Sequence, residues 1–180
     1  MNDVVAVMKA AEFAARKHTN QRRKGDGAEP YLNHLIEVAN LVADASDGRA
    51  DVVVAALLHD VVEDQDVTID EVAALFGSAV ASIVAEVTDD KSLPKQVRKD
   101  KQVSGAHHKS TDASIIKLAD KTSNLRAIAK SPPPWPLDRK RTYVEWARAV
   151  VAGLPFKQPE LLAKFEEAAE LVLESIERNG

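Results

Sequence analysis

The stretch ALLHDVVED, residues 56 to 64, ends an apolar run with His59, Asp60, Glu63 and Asp64. Burying a charge is costly unless it is paired or binds a metal. If the run is one helix, offsets of three and four stack these side chains on a single face, about 5.4 Å apart along the axis. The lower pair, an imidazole and a carboxylate, can bind a divalent cation. The upper pair of carboxylates can move protons or position water beside it. Such a combination serves metal-assisted hydrolysis.

Two adjacent ligands cannot hold a cation, so others must come from elsewhere. His34 follows the Pro30, Tyr31 turn at the start of an apolar helix. Asp120 lies in SIIKLADKTSNL, where Ile115, Ile116, Leu118 and Ala119 carry an acid into an apolar helix, with Asn124 one turn further on. Each has a plainer reading: His34 as a capping or core histidine, Asp120 as a buried partner of Lys117 or Arg126. Together with His59 and Asp60 they form a mixed nitrogen and oxygen set, which suits manganese, iron or zinc better than calcium.

The elements that must position these residues are helices. Val4, Met8, Ala11 and Ala15 mark one apolar stripe, Leu32, Leu35, Val38, Ala39 and Val42 a second, and Leu161, Leu162, Phe165, Ala169, Val172 and Ile176 a third. No stretch alternates with period two, so an all-α bundle follows. Glycine and proline in KGDGAEP and SPPPWP break the chain, and TIDE at 68 to 71 has the form of a helix-starting capping box. About nine helices are predicted, near 3 to 19, 31 to 45, 50 to 63, 69 to 76, 78 to 88, 95 to 104, 112 to 129, 137 to 152 and 159 to 177. The Val52 to Leu58 run places the third deep in the bundle, where helical bundles usually build metal sites. No linker divides the 180 residues, so a single domain over 1–180 is expected.

Composition narrows the chemistry. With no cysteine, the chain has no disulfide framework, thiolate zinc site or cysteine nucleophile, which fits a reducing, cytoplasmic setting. No window reaches the roughly 18 uncharged apolar residues a membrane span needs. A net charge of −4 argues against a nucleic-acid binder. Basic residues nevertheless group at Arg22 to Lys24, at Lys95, Arg98, Lys99 and Lys101, and at Arg139 to Arg141. Such groups suit a small anionic ligand or, one by one, a solvated helix face. His18 packs in the first helix or edges the pocket; His107 and His108 fall in an exposed loop with no assigned role.

An earlier histidine, an adjacent His-Asp pair and a later aspartate resemble the metal set of the HD-domain phosphohydrolases. More narrowly, RRKGDGAEPYLNH, LLHDVVED, EVTDDKSLPKQVRK and IKLADKTSNLR resemble the hydrolase domain of the Rel/SpoT alarmone proteins, above all the stand-alone small alarmone hydrolases, over about residues 5 to 155. The resemblance implies an all-α HD fold and manganese-dependent removal of the 3′-pyrophosphate from ppGpp and pppGpp. It makes His34, His59, Asp60 and Asp120 the metal ligands and Glu63 and Asp64 the catalytic acidic pair. Arg23, Lys24 and Tyr31 match contacts to guanosine and phosphate, Asn124 a residue near the ribose, and Lys95 and Arg139 phosphate-holding residues. Three departures stand out: Leu35 where many relatives have proline, Ser123 where they have an aromatic expected near the nucleotide, and His107 at a proline position. (p)ppApp, NADPH or another phosphoester is the alternative substrate, and a catalytically silent nucleotide-binding module the alternative class.

Overall fold

The computed structural model describes residues 2–178. In chain order they form α1 (Asp3–Lys17), α2 (Tyr31–Ala45), α3 (Ala50–Leu58), α4 (Val61–Asp64), α5 (Ile69–Phe76), α6 (Ser78–Val87), α7 (Lys95–Ser104), α8 (Thr111–Lys130), α9 (Leu137–Gly153) and α10 (Pro159–Arg178). A 3₁₀ turn at Ala106–His108 precedes α8, so the exposed His107 and His108 sit in a short helical turn and not in an open loop. Among the described residues there is no strand, as the apolar spacing predicts, and only an isolated bridge joins Arg22 to Pro30. No described helix is long and apolar enough to cross a membrane.

One prediction fails in an instructive way. The helix expected over 50 to 63 is interrupted, and among the described residues α3 and the single turn α4 stand in its place. At the end of α3 the His59 ring folds back, with Nδ1 2.7 Å from the Ala56 carbonyl oxygen. The His59 amide bonds to that same carbonyl at 3.5 Å, a tightened i to i−3 turn. Asp60 then adopts φ −105°, ψ −1°, and α4 restarts with Asp64 N–H donating to the Asp60 carbonyl at 2.8 Å. The straight two-tier stack of His59, Asp60, Glu63 and Asp64 is therefore replaced by a bend.

The core sits around α3 and α8. Every residue from Val52 to Leu58 is buried, because α3 is flanked by α1, α2 and α6. α8 runs between α2, α6 and α10 and buries Ala113 to Ser123 without interruption, polar residues included. A helix buried on all sides is a central one. Fully burying each Val, Leu or Ile stabilises the fold by about 1.5–3 kcal/mol, and this apolar majority offsets the cost of the polar groups on the same helices.

The loop between α1 and α2 is held in shape. Arg23 N–H donates to Glu29 O at 2.9 Å and Tyr31 N–H to Gln21 O at 3.0 Å. Gly25 presses on the end of α8, where an added Cβ would fall 2.2 Å from Ser131 O, and Gly27 N–H donates to Ser131 Oγ at 3.0 Å. Only glycine permits the first approach. Arg23 and Lys24 are thereby presented beside α8.

Candidate metal centre and active site

Four side chains converge from three places: His34 on α2, His59 and Asp60 at the α3–α4 break, and Asp120 on α8. His34 Nε2 lies 3.4 Å from Asp120 Oδ1 and 3.7 Å from Asp60 Oδ2. His59 Nε2 lies 3.1 Å from Asp60 Oδ2 and 3.8 Å from Asp120 Oδ1. One donor atom each from His34, His59 and Asp120 falls within a 4.8 Å group able to hold a metal ion. Ligand atoms on bonds of about 2.1 Å around one ion stand about 3.0–3.4 Å apart. The 3.1 and 3.4 Å spacings match that, the 3.7 and 3.8 Å ones are a few tenths of an ångström wider, and Asp60, outside the three-residue group, faces both imidazoles from its edge.

Two further observations support the fit. Both imidazole Nε2 atoms are buried and have no hydrogen-bond partner, an expensive condition unless something else engages them. Burial lowers the His59 pKa, but the Asp60 and Asp120 carboxylates outweigh it and raise it to about 10. Negative charge that binds a proton this tightly favours a divalent cation for the same reason. Burial opposes ionisation of Asp60 and Asp120 too. Even so, His59 and His34 hold Asp60, and Lys121 with both histidines holds Asp120, well below the usual carboxylate range.

Asp120 pairs with neither Lys117 nor Arg126. It accepts from Lys121 Nζ at 2.9 Å and Asn124 Nδ2 at 2.7 Å, and Asn124 Oδ1 accepts from Arg23 at 3.1 Å. Lys117 donates instead to Val87 O, and Arg126 to Glu37. The Tyr31 hydroxyl donates to Asp60 Oδ2 at 2.5 Å. His18 closes α1 beside the group, buried, with its ring stacked on Tyr31, Nδ1 2.7 Å from Gln21 Oε1 and Nε2 likewise without a hydrogen-bond partner.

Above these groups opens a cavity of about 700 Å³, lined by Asp60, Asp120, Glu63 and Asp64 and by all six residues matched to substrate contacts: Arg23, Lys24, Tyr31, Lys95, Asn124 and Arg139. Glu63 accepts from Arg98 at 3.2 Å and from Asp89 N–H at 3.3 Å. Burial, with Asp60 and Asp89 nearby, pushes its carboxyl up. Asp64 accepts from Gln21 Nε2 at 2.7 Å and from Lys91. The rim is crowded with like charge: burial, then Arg139, Lys24 and Arg98, depress Lys95. An acidic floor under a cationic rim can bind a metal and a polyanion together.

A family model described as HD domain matches residues 10–147. The chain belongs to the HD-domain family. Among its relatives, the human guanosine-3′,5′-bis(diphosphate) 3′-pyrophosphohydrolase MESH1 is 49% identical over 156 residues, covering 85% of this chain and 87% of that one. MESH1 of Drosophila melanogaster is 44% identical, over 89% of this chain and 90% of that one. A solved structure described as a metazoan ortholog of SpoT that hydrolyses ppGpp superposes with a TM-score of 0.87 at 42% identity, covering 92% of this chain and 94% of that one.

Sequence reasoning missed several features of this HD domain. Lys121 is buried against Asp120, with its ammonium 4.6 Å from the Trp146 ring centre. Trp135, Tyr143 and Trp146 form an aromatic wall of the cavity, and Arg139 stacks on Trp135 at 4.2 Å. The lysine directly after Asp120 was a usable signal; the wall was not, because its members lie across a helix boundary. Ser123, where relatives have an aromatic, is fully buried, does not line the cavity and touches His34.

Proposed function

We propose that this chain is a manganese-dependent guanosine-3′,5′-bis(diphosphate) 3′-pyrophosphohydrolase, converting ppGpp and pppGpp to GDP and GTP with release of pyrophosphate. One observation carries the reading: Asp60 and Asp120 line the floor of a cavity whose rim is basic, with His34 and His59 packed against them from the core side. Relatives that share most of the chain bear that activity in their names.

The two imidazoles and two carboxylates would hold the ion, which when bound activates water and offsets charge on phosphoryl oxygens. Lys24, Lys95 and Arg139 neutralise the diphosphate, the guanidinium being suited to bidentate contact. Attack by water on the phosphorus next to the 3′ oxygen forms one P–O bond and breaks the P–O3′ bond; the water gives up a proton, and the departing 3′ alkoxide takes one up to become the 3′ hydroxyl. Glu63, held by Arg98, and Asp64, anchored by Gln21 and Lys91, are the acidic pair placed to pass that proton and orient the water. Positioned acids and bases of this kind contribute about 10²–10⁴-fold. Arg23 and Asn124, tied to each other and to Asp120, set the sugar's place relative to the floor. Residues 1–180 act as one such domain, in the cytoplasm.

Incubation with ppGpp and Mn²⁺ should release pyrophosphate and GDP. Intact ppGpp at micromolar, metal-loaded protein rejects the reading, as does a parallel panel in which NADPH or another phosphoester turns over far faster than ppGpp and ppApp.

A further inference from the structure

Behind His34, on the side away from the cavity floor, a chain of hydrogen bonds leads out of the metal group. His34 Nδ1 lies 2.9 Å from Ser123 Oγ, Ser123 Oγ donates to Glu37 Oε2 at 2.6 Å, and Glu37 Oε1 accepts from Arg126 at 3.2 Å. His34 and Ser123 are buried, while Glu37 and Arg126 are about 37% exposed at the far end.

The direction of these bonds follows from the donor inventory. A carboxylate held by a guanidinium can only accept, so the single Ser123 proton points to Glu37. Ser123 Oγ is then left to accept from His34, which places the imidazole proton on Nδ1 and the lone pair on Nε2. That is the nitrogen facing Asp60 and Asp120 without a partner. His59 keeps its Nδ1 proton by another route, donating it to the Ala56 carbonyl, which leaves Nε2 as the nitrogen for an ion. One histidine is oriented by backbone, the other by a side chain brought from α8.

We propose that Ser123 and Glu37 are positioning residues that fix the His34 tautomer and ring orientation, so that Nε2 presents its lone pair to the metal. The inference deepens the hydrolase reading and rests on it only for the identity of the site. Groups of this kind behind a metal ligand typically change metal affinity about 10–100-fold when removed.

The test uses the full chain without nucleotide, so its failure is separate from failure of the hydrolase reading. In zinc-loaded protein, long-range ¹H–¹⁵N correlation should show His34 bound through Nε2 with a slowly exchanging Nδ1 proton. Ser123→Ala removes one buried oxygen and should accelerate exchange of that proton while leaving the His59 Nδ1 proton unchanged. Zinc and Mn²⁺ affinity should fall about 10–100-fold. Glu37→Gln keeps an acceptor oxygen for Ser123 and should lose less than Glu37→Ala. A Ser123→Ala protein that retains both the protected His34 proton and wild-type metal affinity overturns the proposal, as does a wild-type spectrum with His34 bound through Nδ1.

Discussion

The floor and the rim of the cavity differ in how the fold holds them. His34 and His59 are only 1% and 3% exposed, and their helices are locked into the core. Lys24, Lys95 and Arg139 are exposed, one on a loop and the others in the first turns of α7 and α9. On the floor each donor is held by a second group: Tyr31 on Asp60, Lys121 and Asn124 on Asp120, Ser123 on His34, the Ala56 carbonyl on His59. At the rim Lys95 stands near Arg139, Lys24 and Arg98, like charges that an anion would relieve, and Arg139 rests on the Trp135 ring. Rigid ligands select an ion, whereas long cationic side chains collect a charged substrate and tolerate its departure.

The largest effect comes from breaking the floor. Asp120→Ala and Asp60→Ala should abolish both metal binding and turnover, seen by metal analysis beside the pyrophosphate assay. Glu63→Gln separates the two functions: the metal should remain while kcat falls about 10²–10⁴-fold. Because folding raises the Glu63 pKa, the ionised carboxylate costs the fold stability at pH values above its unfolded value, and protonation removes that cost. Melting of Glu63→Gln at neutral pH should therefore be no lower than wild type.

Next in size is the pH dependence of metal binding. His59 gains a proton on folding, with its pKa raised to about 10. In metal-free protein that stabilisation is fully present below a pH of about 6.5 and is lost as pH rises through about 10. A metal must displace the proton, so affinity should strengthen with pH across that window by up to about tenfold per unit, as calorimetry can measure. The smallest effect belongs to the rim. Arg139→Ala or Lys95→Ala should raise KM about tenfold, as expected for one lost charge-assisted hydrogen bond, with the loss shrinking in high salt and metal affinity unchanged.

The same contrast decided what could be read from sequence. His59, Asp60 and Asp120 interrupt apolar runs, and an acid inside a buried helix is conspicuous because it is costly. Lys95 and Arg139 are ordinary as surface charges, and only the family resemblance singled them out. The break after Leu58 was hidden, since it depends on the His59 ring taking the Ala56 carbonyl. Ser123 was hidden as well: a serine inside a helix carries no pattern, and its partner Glu37 lies 86 positions away.

Mn²⁺ binding followed by electron paramagnetic resonance, on the wild-type chain and on Asp120→Ala, addresses the convergence of the four ligands most directly. One ion per wild-type chain, and none for the variant at the same concentration, is the predicted result. A wild-type chain that leaves Mn²⁺ free, or a variant that binds it as tightly as wild type, contradicts the account.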